Sequence, residues 1–253
     1  MDLDGKVAIV TGGASGLGEA AARLFAGSGA RVVVLDRSIE AGERVASETG
    51  AAFCAADVAS GESVAAALNL ARERFGAVHI AVNCAGIATA QRMLGKEGPM
   101  PLDDFERVIR VNLVGTFNVC RLAAAAMALN EPGPTGERGV IVNTASIAGY
   151  EGQIGQTAYA ASKAGIVGLT LPMARELTKL GIRVCAIAPG LFDTPLLRAL
   201  PETVRNDLGA SVPFPARLGD PAEFAALARH IVENSYLNGE VVRLDGALRM
   251  PPR

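Results

Sequence analysis

Short apolar runs rich in valine and isoleucine recur along the chain, and longer stretches with apolar residues at helical spacing separate them. Continuous apolar runs of this length are typical of strands that are buried on both faces of a sheet. The pattern predicts strands near residues 6–11, 31–35, 51–55, 78–82, 138–144, 182–188 and 240–244.

The stretches between these strands are rich in alanine and leucine and predict helices. The predicted helices lie near 17–28, 39–49, 61–75, 103–129, 157–180 and 220–234. Strands connected through helices form right-handed crossovers, which make neighbouring strands parallel and cover both faces of the sheet. No change of composition marks a domain boundary, so the sequence predicts an α/β fold in which one doubly wound domain spans residues 1–253.

Two irregular segments interrupt this alternation. Segment 87–102 is rich in glycine, proline and methionine, and segment 191–219 contains four prolines. Both follow the C-terminal ends of predicted strands, where open α/β sheets bind ligands. Irregular segments of this length in a compact domain are commonly functional. We expect them to cover the substrate and to become ordered when it binds; the alternative is that 191–219 packs as ordinary short helices.

The charge and apolar content exclude several classes of function. The formal net charge is -2 and no basic run occurs, which argues against binding to nucleic acid or to anionic membranes. The apolar runs are far shorter than the roughly 20 residues that span a bilayer. The first residues are acidic and lead directly into a strand, without the pattern of a signal peptide. We therefore expect a cytoplasmic protein.

Cysteine and histidine usage points away from metal and hydrolase chemistry. The widely spaced cysteines form no Cys-x-x-Cys pair, and we expect them to be reduced and buried: Cys54, Cys84, Cys120 and Cys185. His79 and His230 are the only histidines and lack ligand spacing, so no metal site is expected. A Ser-His-Asp hydrolase would depend on one of these two histidines.

A glycine-rich turn follows the first predicted strand and opens the first predicted helix. Gly12, Gly16 and Gly18 are spaced as G-x-x-x-G-x-G. Such a turn allows the backbone to approach a pyrophosphate, whose negative charge is favoured at a helix N-terminus. The motif alone also fits a tight turn with no ligand.

Asp36 stands at the end of the second predicted strand, where a carboxylate can accept hydrogen bonds from the ribose hydroxyls of a dinucleotide. A carboxylate repels a 2′-phosphate, so the sequence favours NAD(H) over NADP(H). Arg37 is the competing feature because it could pair with that phosphate. Asp36 could instead cap the helix that follows.

Small and polar residues follow the next two strands as well. Asp57 and Val58 come after the third predicted strand, and Asn83, Cys84, Ala85 and Gly86 come after the fourth. Asp57 is placed to meet the adenine, and the Ala85-Gly86 pair allows the cofactor to lie flat across the edge of the sheet. Their recurrence at successive strand ends favours a nucleotide site over unrelated loops.

Tyr159 and Lys163 lie on one face of a predicted helix because they are four residues apart. A free tyrosine has a pKa of about 10 and is a poor base near neutral pH. A nearby ammonium and an oxidised nicotinamide would stabilise the phenolate and make the tyrosine a proton donor and acceptor. The small residues around Tyr159 leave room for a cofactor and a substrate.

Ser146 and Asn112 complete the candidate catalytic group. Ser146 follows the fifth predicted strand and can hold a substrate oxygen beside Tyr159. It has no histidine partner and is not predicted to be a nucleophile. Asn112 is a polar residue among apolar neighbours in a predicted helix. It either hydrogen-bonds within that helix or anchors a water molecule that links Lys163 to solvent.

These motifs together resemble the short-chain dehydrogenase/reductase family over essentially the full length. The residues that carry the resemblance are Thr11-Gly12-x-x-x-Gly16-x-Gly18, Asn83-x-Ala85-Gly86, Asn112, Ser146, Tyr159-x-x-x-Lys163 and Pro189-Gly190. The resemblance implies a Rossmann-type domain with seven parallel strands, a catalytic tetrad of Asn112, Ser146, Tyr159 and Lys163, and a homotetramer.

Further segments resemble the members of this family that oxidise 3-hydroxyacyl-CoA. They are residues 115–119, 151–153, 187–197, 212–215, 217–223 and 237–241. The resemblance implies that Ser15, Leu17, Asp36, Asp57, Val58 and Cys84 line an NAD site. It also implies that Phe192 and Thr194 lie near the nicotinamide and that Gln153 borders the substrate.

The expected function is NAD-dependent interconversion of 3-hydroxyacyl-CoA and 3-oxoacyl-CoA, with Tyr159 as acid and base. Three other hypotheses remain open: a dehydrogenase of hydroxysteroids or other secondary alcohols, a 3-oxoacyl-carrier-protein reductase, and a nucleotide-binding protein without catalysis. Asp36 argues against the reductase, which usually prefers NADPH. Segment 87–102 borders the expected substrate and differs from the animal members, so the family resemblance does not identify the substrate.

Overall fold

The structure, a computed structural model, describes residues 1–252 and is built on a twisted parallel sheet. The strands, in chain order, are β1 (Val7–Thr11), β2 (Arg31–Asp36), β3 (Ala52–Ala55), β4 (Ile80–Asn83), β5 (Leu94–Gly95), β6 (Gly98–Pro99), β7 (Gly139–Thr144), β8 (Ile182–Pro189) and β9 (Val241–Leu244). Seven of them form one sheet in the order β3-β2-β1-β4-β7-β8-β9, and every pairing in it is parallel. The predicted seven-stranded parallel sheet is confirmed.

Helices cover both faces of this sheet. They are α1 (Gly16–Gly27), α2 (Ile39–Thr49), α3 (Gly61–Phe75), α4 (Leu102–Ile109), α5 (Gly115–Met127), α6 (Thr157–Leu177), α7 (Pro195–Arg198), α8 (Glu202–Ala210) and α9 (Pro221–Glu233). Phe25 of α1 and Phe224 of α9 are fully buried in the apolar layer on one face, and Val64 of α3 and Val119 of α5 are buried in the layer on the other. Burial of each such side chain stabilises the fold by roughly 1.5–3 kcal/mol.

The start of α9 shows how the sequence determines one helix boundary. The Asp220 side chain accepts a hydrogen bond from the amide of Ala222, while Glu223 accepts one from the amide of Asp220. Pro221 occupies the first turn, where its missing N–H costs nothing. A capping box of this kind stabilises a helix by about 1 kcal/mol.

The prediction of a single helix over 103–129 is wrong in one respect. A π-helical turn, Arg110–Val114, separates α4 from α5, and Asn112 lies in it. By length and composition the run Leu102–Met127 is apolar enough to cross a membrane, but half of that apolar stretch is buried inside the protein. Packing of α5 against the sheet accounts for its apolar character.

Both irregular segments contain regular structure. Segment 87–102 includes the antiparallel hairpin of β5 and β6, and segment 191–219 includes α7 and α8. The two ends of segment 191–219 meet in a parallel bridge between Phe192 and Gly219. Segment 191–219 is therefore a long loop whose two ends pair with each other close to the carboxyl end of β8.

The strand order reverses between β1 and β4, since the chain moves outward to β3 and then returns to the other side of β1. Crevices at such reversals, beside the carboxyl ends of the strands, are where open α/β sheets bind ligands. The glycine-rich turn, Asp36 and both irregular segments lie at these strand ends. The fold therefore brings the predicted cofactor and substrate segments to one edge.

Candidate active site

The glycine-rich turn after β1 requires glycine at two positions because the backbones are in close contact. A Cβ on Gly12, which has a φ of 64°, would lie 2.8 Å from the amide nitrogen of Ala85. A Cβ on Gly18 would lie 2.2 Å from the carbonyl oxygen of Gly12. The tight turn leaves the start of α1 open to an anionic group.

A cleft of about 380 Å³ runs along the carboxyl ends of β1, β2, β3 and β4. Predicted cofactor residues that line it are Gly12, Ser15, Gly16, Leu17, Gly18, Asp36, Asp57, Val58, Cys84, Ala85, Gly86 and Thr194. Lining residues that the sequence analysis did not assign are Leu35, Ala56, Ile87, Val111 and Pro195. Most of the missed residues are immediate neighbours of predicted ones, so their strand-end positions were the available signal.

The Asp36 carboxylate lines this cleft and also accepts two backbone hydrogen bonds. One comes from the amide of Ala14 in the glycine-rich turn at 3.1 Å, and the other from the amide of Ser38 at the start of α2 at 3.0 Å. These bonds hold the carboxylate in place and leave acceptor capacity for ribose hydroxyls. The bond to Ser38 orders the backbone just before α2 but caps none of the amides of that helix, and the carboxylate also faces the cofactor cleft. Arg37 lines the same cleft with an exposed side chain.

Tyr159, Lys163 and Ser146 come together at the reacting end of the cleft. The ammonium nitrogen of Lys163 lies 5.8 Å from the ring centroid of Tyr159, and Ser146 lies close enough to the Tyr159 hydroxyl to affect its pKa. The same ammonium donates a 2.6 Å hydrogen bond to the carbonyl oxygen of Thr144 at the end of β7. Helix α6 thus holds its two catalytic candidates against the end of β7, two residues before Ser146.

Burial shifts the pKa values of both titratable groups in this cluster. Burial lowers the pKa of the Lys163 ammonium to about 8. Burial also raises the pKa of the Tyr159 phenol, and the nearby Ser146 hydroxyl offsets part of that increase. The protein's own groups therefore keep Tyr159 protonated near neutral pH, which is the form that donates a proton. The positive charge of an oxidised nicotinamide is the further influence expected to lower this pKa.

Asn112 is fully buried and joins two parts of the site. Its side chain exchanges hydrogen bonds with the backbone of Ile87, accepting from the amide at 2.8 Å and donating to the carbonyl at 2.9 Å. It also donates to the Ser162 hydroxyl at 3.1 Å, and Ser162 donates to the carbonyl of Tyr159 at 2.7 Å. Asn112 therefore fixes the loop after β4 to the helix that carries Tyr159. Its link to Lys163 through water stays a prediction.

The structure places the side chain of Asn83, which was predicted to contact the cofactor, outside the cleft lining. Its buried side chain donates a 2.8 Å hydrogen bond to the side chain of Asn143 and approaches the thiol of Cys120 on α5. Side chains alternate between the two faces of a strand, and Asn83 points toward α5 rather than into the cleft. Asn83 therefore ties the end of β4 to the end of β7.

Three predicted cofactor residues near the end of β8 also lie outside the cleft lining. The Phe192 ring is buried against Gly219, where a Cβ would come within 2.8 Å of it. Pro189 is buried as the last residue of β8, and a Cβ on Gly190 would lie 2.9 Å from the Cα of Asp245. Phe192 anchors segment 191–219, while Thr194 in the same segment reaches the cleft.

Gln153 lies in the loop after Ser146 and contacts the end of the chain. Its side-chain amide donates a 3.1 Å hydrogen bond to the carbonyl of Pro251. Its predicted contact with the substrate stays a prediction. Among residues 1–252, no group of three histidine, cysteine, aspartate or glutamate side chains is arranged to hold a metal ion.

Comparison with known proteins identifies the class to which this fold and site belong. The model of the short chain dehydrogenase family matches residues 6–205, and the chain belongs to that family. It is therefore an oxidoreductase that uses a nicotinamide cofactor.

Individual relatives are similar from end to end. The chain is 60% identical to 3-hydroxyacyl-CoA dehydrogenase type-2 of Bos taurus, over 99% of this chain and 97% of that protein. It is 58% identical to the protein of the same name from Homo sapiens, with the same shares covered. The crystal structure of 3-hydroxyacyl-CoA dehydrogenase type-2 from Mycobacterium avium superposes with a TM-score of 0.95 at 48% identity, covering 98% of each chain.

The cleft fits a nicotinamide dinucleotide on its own geometry. Gly12 and Gly18 leave no space for side chains where the pyrophosphate would approach, and the Asp36 carboxylate is held by two amides at the ribose end. Tyr159 and Lys163 stand at the other end, beside Cys84 and Gly86. The site therefore has an adenosine end and a reacting end.

Asn118 holds one wall of this cleft in place. Its buried side chain donates a 2.8 Å hydrogen bond to the carbonyl of Val58 and accepts hydrogen bonds from Arg121. We predict that Asn118→Ala raises the KM for the nicotinamide cofactor about fivefold to tenfold, because a buried carbonyl loses its donor. Steady-state kinetics measures this effect. Asn69→Ala on the exposed face of α3 is the control, and an unchanged cofactor KM in Asn118→Ala would contradict the role.

Proposed function

We propose that this enzyme uses NAD(H) to interconvert 3-hydroxyacyl-CoA and 3-oxoacyl-CoA. The observation that carries the proposal is the end-to-end identity of 58–60% with the two mammalian proteins named 3-hydroxyacyl-CoA dehydrogenase type-2. The identity covers 99% of the chain and so includes the substrate-side segments as well as the cofactor cleft. The choice of NAD(H) is supported by Asp36, whose negative charge opposes a 2′-phosphate.

The proposed roles of the catalytic residues follow from their geometry. Ser146 and Tyr159 bind the oxygen on carbon 3 of the substrate. A nicotinamide cofactor held in the cleft would supply or accept the hydride at that carbon. In reduction, the Tyr159 hydroxyl donates its proton to this oxygen; in oxidation, the phenolate takes it back. Lys163 places a positive charge beside the ring and stabilises the phenolate. Asn112 keeps α6 and the loop after β4 aligned.

The direct test is the consumption of NADH with acetoacetyl-CoA as the substrate. We expect turnover at nanomolar enzyme concentrations and much weaker use of NADPH under the same conditions. No turnover at micromolar enzyme would overturn the proposal. A parallel assay with acetoacetyl linked to acyl-carrier protein and NADPH tests the carrier-protein reductase, the competing hypothesis that requires the other cofactor.

The remaining rivals predict different outcomes. A hydroxysteroid or general secondary-alcohol dehydrogenase would turn over those substrates faster than acyl-CoA. A nucleotide-binding protein without catalysis would bind NADH and turn over none of the panel. The grouping of Ser146 and Lys163 around Tyr159 argues against this last alternative, because binding a nucleotide does not require that cluster.

We also propose that the enzyme is a cytoplasmic homotetramer that binds neither nucleic acid nor membranes. Large apolar side chains on α5 and α6 support association with further copies, since Phe117 is 45% and Leu171 is 44% exposed. The net charge of -2 supports the absence of a nucleic-acid partner. Light scattering coupled to gel filtration tests the subunit number, and a monomer at micromolar concentration would contradict it.

Reduction should depend on pH through Lys163. Its ammonium, with a pKa of about 8, is protonated below that value and neutral above it. The neutral amine cannot stabilise the phenolate that remains after Tyr159 donates its proton. We therefore predict that kcat/KM for reduction of the 3-oxo substrate falls as the pH rises above about 8. A pH profile of kcat/KM measures this, and a profile that stays level to about pH 10 would contradict the assignment.

A further inference from the structure

Arg243 is the centre of a group of contacts that the proposed mechanism does not use. It lies on the edge strand β9 and makes a two-pronged ion pair with Glu151, with N–O distances of 2.8 and 2.9 Å. Its Nε donates a 2.7 Å hydrogen bond to Asp245, and its guanidinium lies 5.3 Å from the ring centroid of Tyr150. Arginine suits this position because its planar group bonds a carboxylate in two places and stacks on an aromatic ring.

Glu151 belongs to the loop that begins directly after Ser146. This loop, residues 147–156, contains Gln153, and its Gly155 carbonyl accepts a 2.9 Å hydrogen bond from the amide of Gln91 in segment 87–102. A displacement of Glu151 would therefore move two parts of the substrate side, the region around Gln153 and segment 87–102. The catalytic residues themselves lie outside this loop, with Asn112 in the π-helical turn, Ser146 just before the loop, and Tyr159 and Lys163 on α6. They are held by other contacts.

The last residues of the chain fold back over this loop. Gly246 and Ala247 adopt φ values of 59° and 66°, and the amide of Leu248 donates to the carbonyl of Asp245, which closes a tight turn. Beyond the turn, the Pro251 carbonyl accepts from the Gln153 side chain and the Pro252 carbonyl accepts from the amide of Ile154 at 3.0 Å. Arg243 also donates to the carbonyl of Leu248 at 3.0 Å, so it holds the loop and the returning chain at once.

Leu248 extends the connection to segment 191–219. It forms a small buried apolar cluster with Ile147, the residue after Ser146, and with Val212 near the end of that segment. A Cβ on Gly246 would lie 2.5 Å from Val212, so the turn itself is pressed against the same segment. The three segments on the substrate side are 87–102, 147–156 and 191–219. Each is thus connected to residues 245–252, directly or through one intermediate contact.

We propose that residues 245–252, which we call the C-terminal clasp, position the substrate side of the active site. Arg243 is the positioning residue that holds the clasp against the loop after Ser146. The clasp does not touch the reacting atoms. It sets the position of Gln153 and of the segments around the acyl group. This inference rests on the proposed function for the choice of substrate in its kinetic test.

The kinetic test compares Arg243→Gln, Glu151→Gln and the double variant with the unchanged enzyme, using acetoacetyl-CoA and NADH. We expect each single variant to raise the KM for acetoacetyl-CoA about tenfold, with kcat and the KM for NADH within about twofold. The double variant should lose less than the two single losses combined, because both changes remove the same Arg243–Glu151 ion pair while each also removes contacts of its own. Arg243→Lys should recover part of the loss, since it keeps the charge without the two-pronged geometry.

A second readout does not depend on activity. Arg249 has a side chain that is 59% exposed, so trypsin can cut after it once the clasp opens. We expect Arg243→Gln and Glu151→Gln to speed this cut about tenfold, as followed by mass spectrometry of the intact chain. Arg229→Gln, which removes an exposed ion pair with Glu233 on α9, is the matched control and should change neither readout.

The outcomes separate the clasp from the proposed function. If the unchanged enzyme fails to turn over acetoacetyl-CoA, the proposed function is wrong, and the clasp is judged by the trypsin rates of the two variants. Unchanged trypsin rates, strictly additive kinetic losses, or a fall in kcat with an unchanged substrate KM would each overturn the clasp. Glu151→Gln keeps the test valid if Arg243→Gln fails to fold, because it leaves the bond between Arg243 and Asp245 in place.

Discussion

Replacing Tyr159 with phenylalanine should reduce kcat about a thousandfold, because the ring stays and only the group that donates and accepts the proton is lost. The same change removes one of the two hydroxyl groups proposed to bind the substrate oxygen, so that oxygen also loses its alignment. The KM for NADH should stay within about twofold, since the glycine-rich turn and Asp36 are unaffected. Single-turnover kinetics with acetoacetyl-CoA measures the chemical step directly.

The control for this prediction is Tyr236→Phe. Tyr236 is 98% exposed and lies in the loop between α9 and β9, so its hydroxyl should be dispensable. Full activity in Tyr159→Phe would show that another group supplies the proton. Loss of NADH binding in that variant would show that the change disturbed the cofactor site instead of the chemistry.

Replacing Asp36 with asparagine should lower the preference for NADH over NADPH about a hundredfold, measured as the ratio of the two kcat/KM values. Asparagine keeps an acceptor oxygen for one of the two backbone amides that hold Asp36, but it removes the charge that repels a 2′-phosphate. The exposed Arg37 beside it is then free to attract that phosphate.

Arg37→Gln is the matched variant for this effect. Alone, it should leave the KM for NADH within about twofold. Combined with Asp36→Asn, it should reduce the gain in NADPH use, because the phosphate loses its attracting cation. An unchanged cofactor ratio in Asp36→Asn would mean that the specificity comes from elsewhere in the cleft.

The pattern of apolar runs predicted the sheet because parallel strands buried on both faces are the simplest structures to recognise from sequence. The same reasoning located most of the cofactor cleft, since the fold brings the carboxyl ends of successive strands to one edge. Tyr159 and Lys163 were predictable from helical spacing alone.

The features that the sequence did not predict depend on contacts between distant residues. The π-helical turn around Asn112 pairs its side chain with Ile87 and Ser162, on segments that no local periodicity connects to it. The direction of Asn83 depends on a partner, Asn143, in the neighbouring strand. Composition alone also does not reveal that the Phe192 ring packs against Gly219 and anchors its segment.

The contact between Arg243 and Glu151 is a further example of a feature that the sequence did not predict, because its two residues lie far apart along the chain. Glu151, the carboxylate partner of Arg243, is 92 residues away along the chain, and the two meet only because β9 adds to the edge of the sheet beside β8. Neither residue stands out in the sequence as part of a motif that carries chemistry. Functional roles of this kind are recognised only after the fold has brought the segments together.

The central claim, that this enzyme uses NADH to reduce carbon 3 of an acyl-CoA, is tested most directly by one side-by-side measurement. The kcat/KM for NADH-dependent reduction of acetoacetyl-CoA is compared with that for 3-oxo and 17-oxo steroids on the same enzyme preparation. We predict that the acyl-CoA value exceeds every steroid value by at least about tenfold. A steroid value equal to or greater than the acyl-CoA value would contradict the proposed substrate.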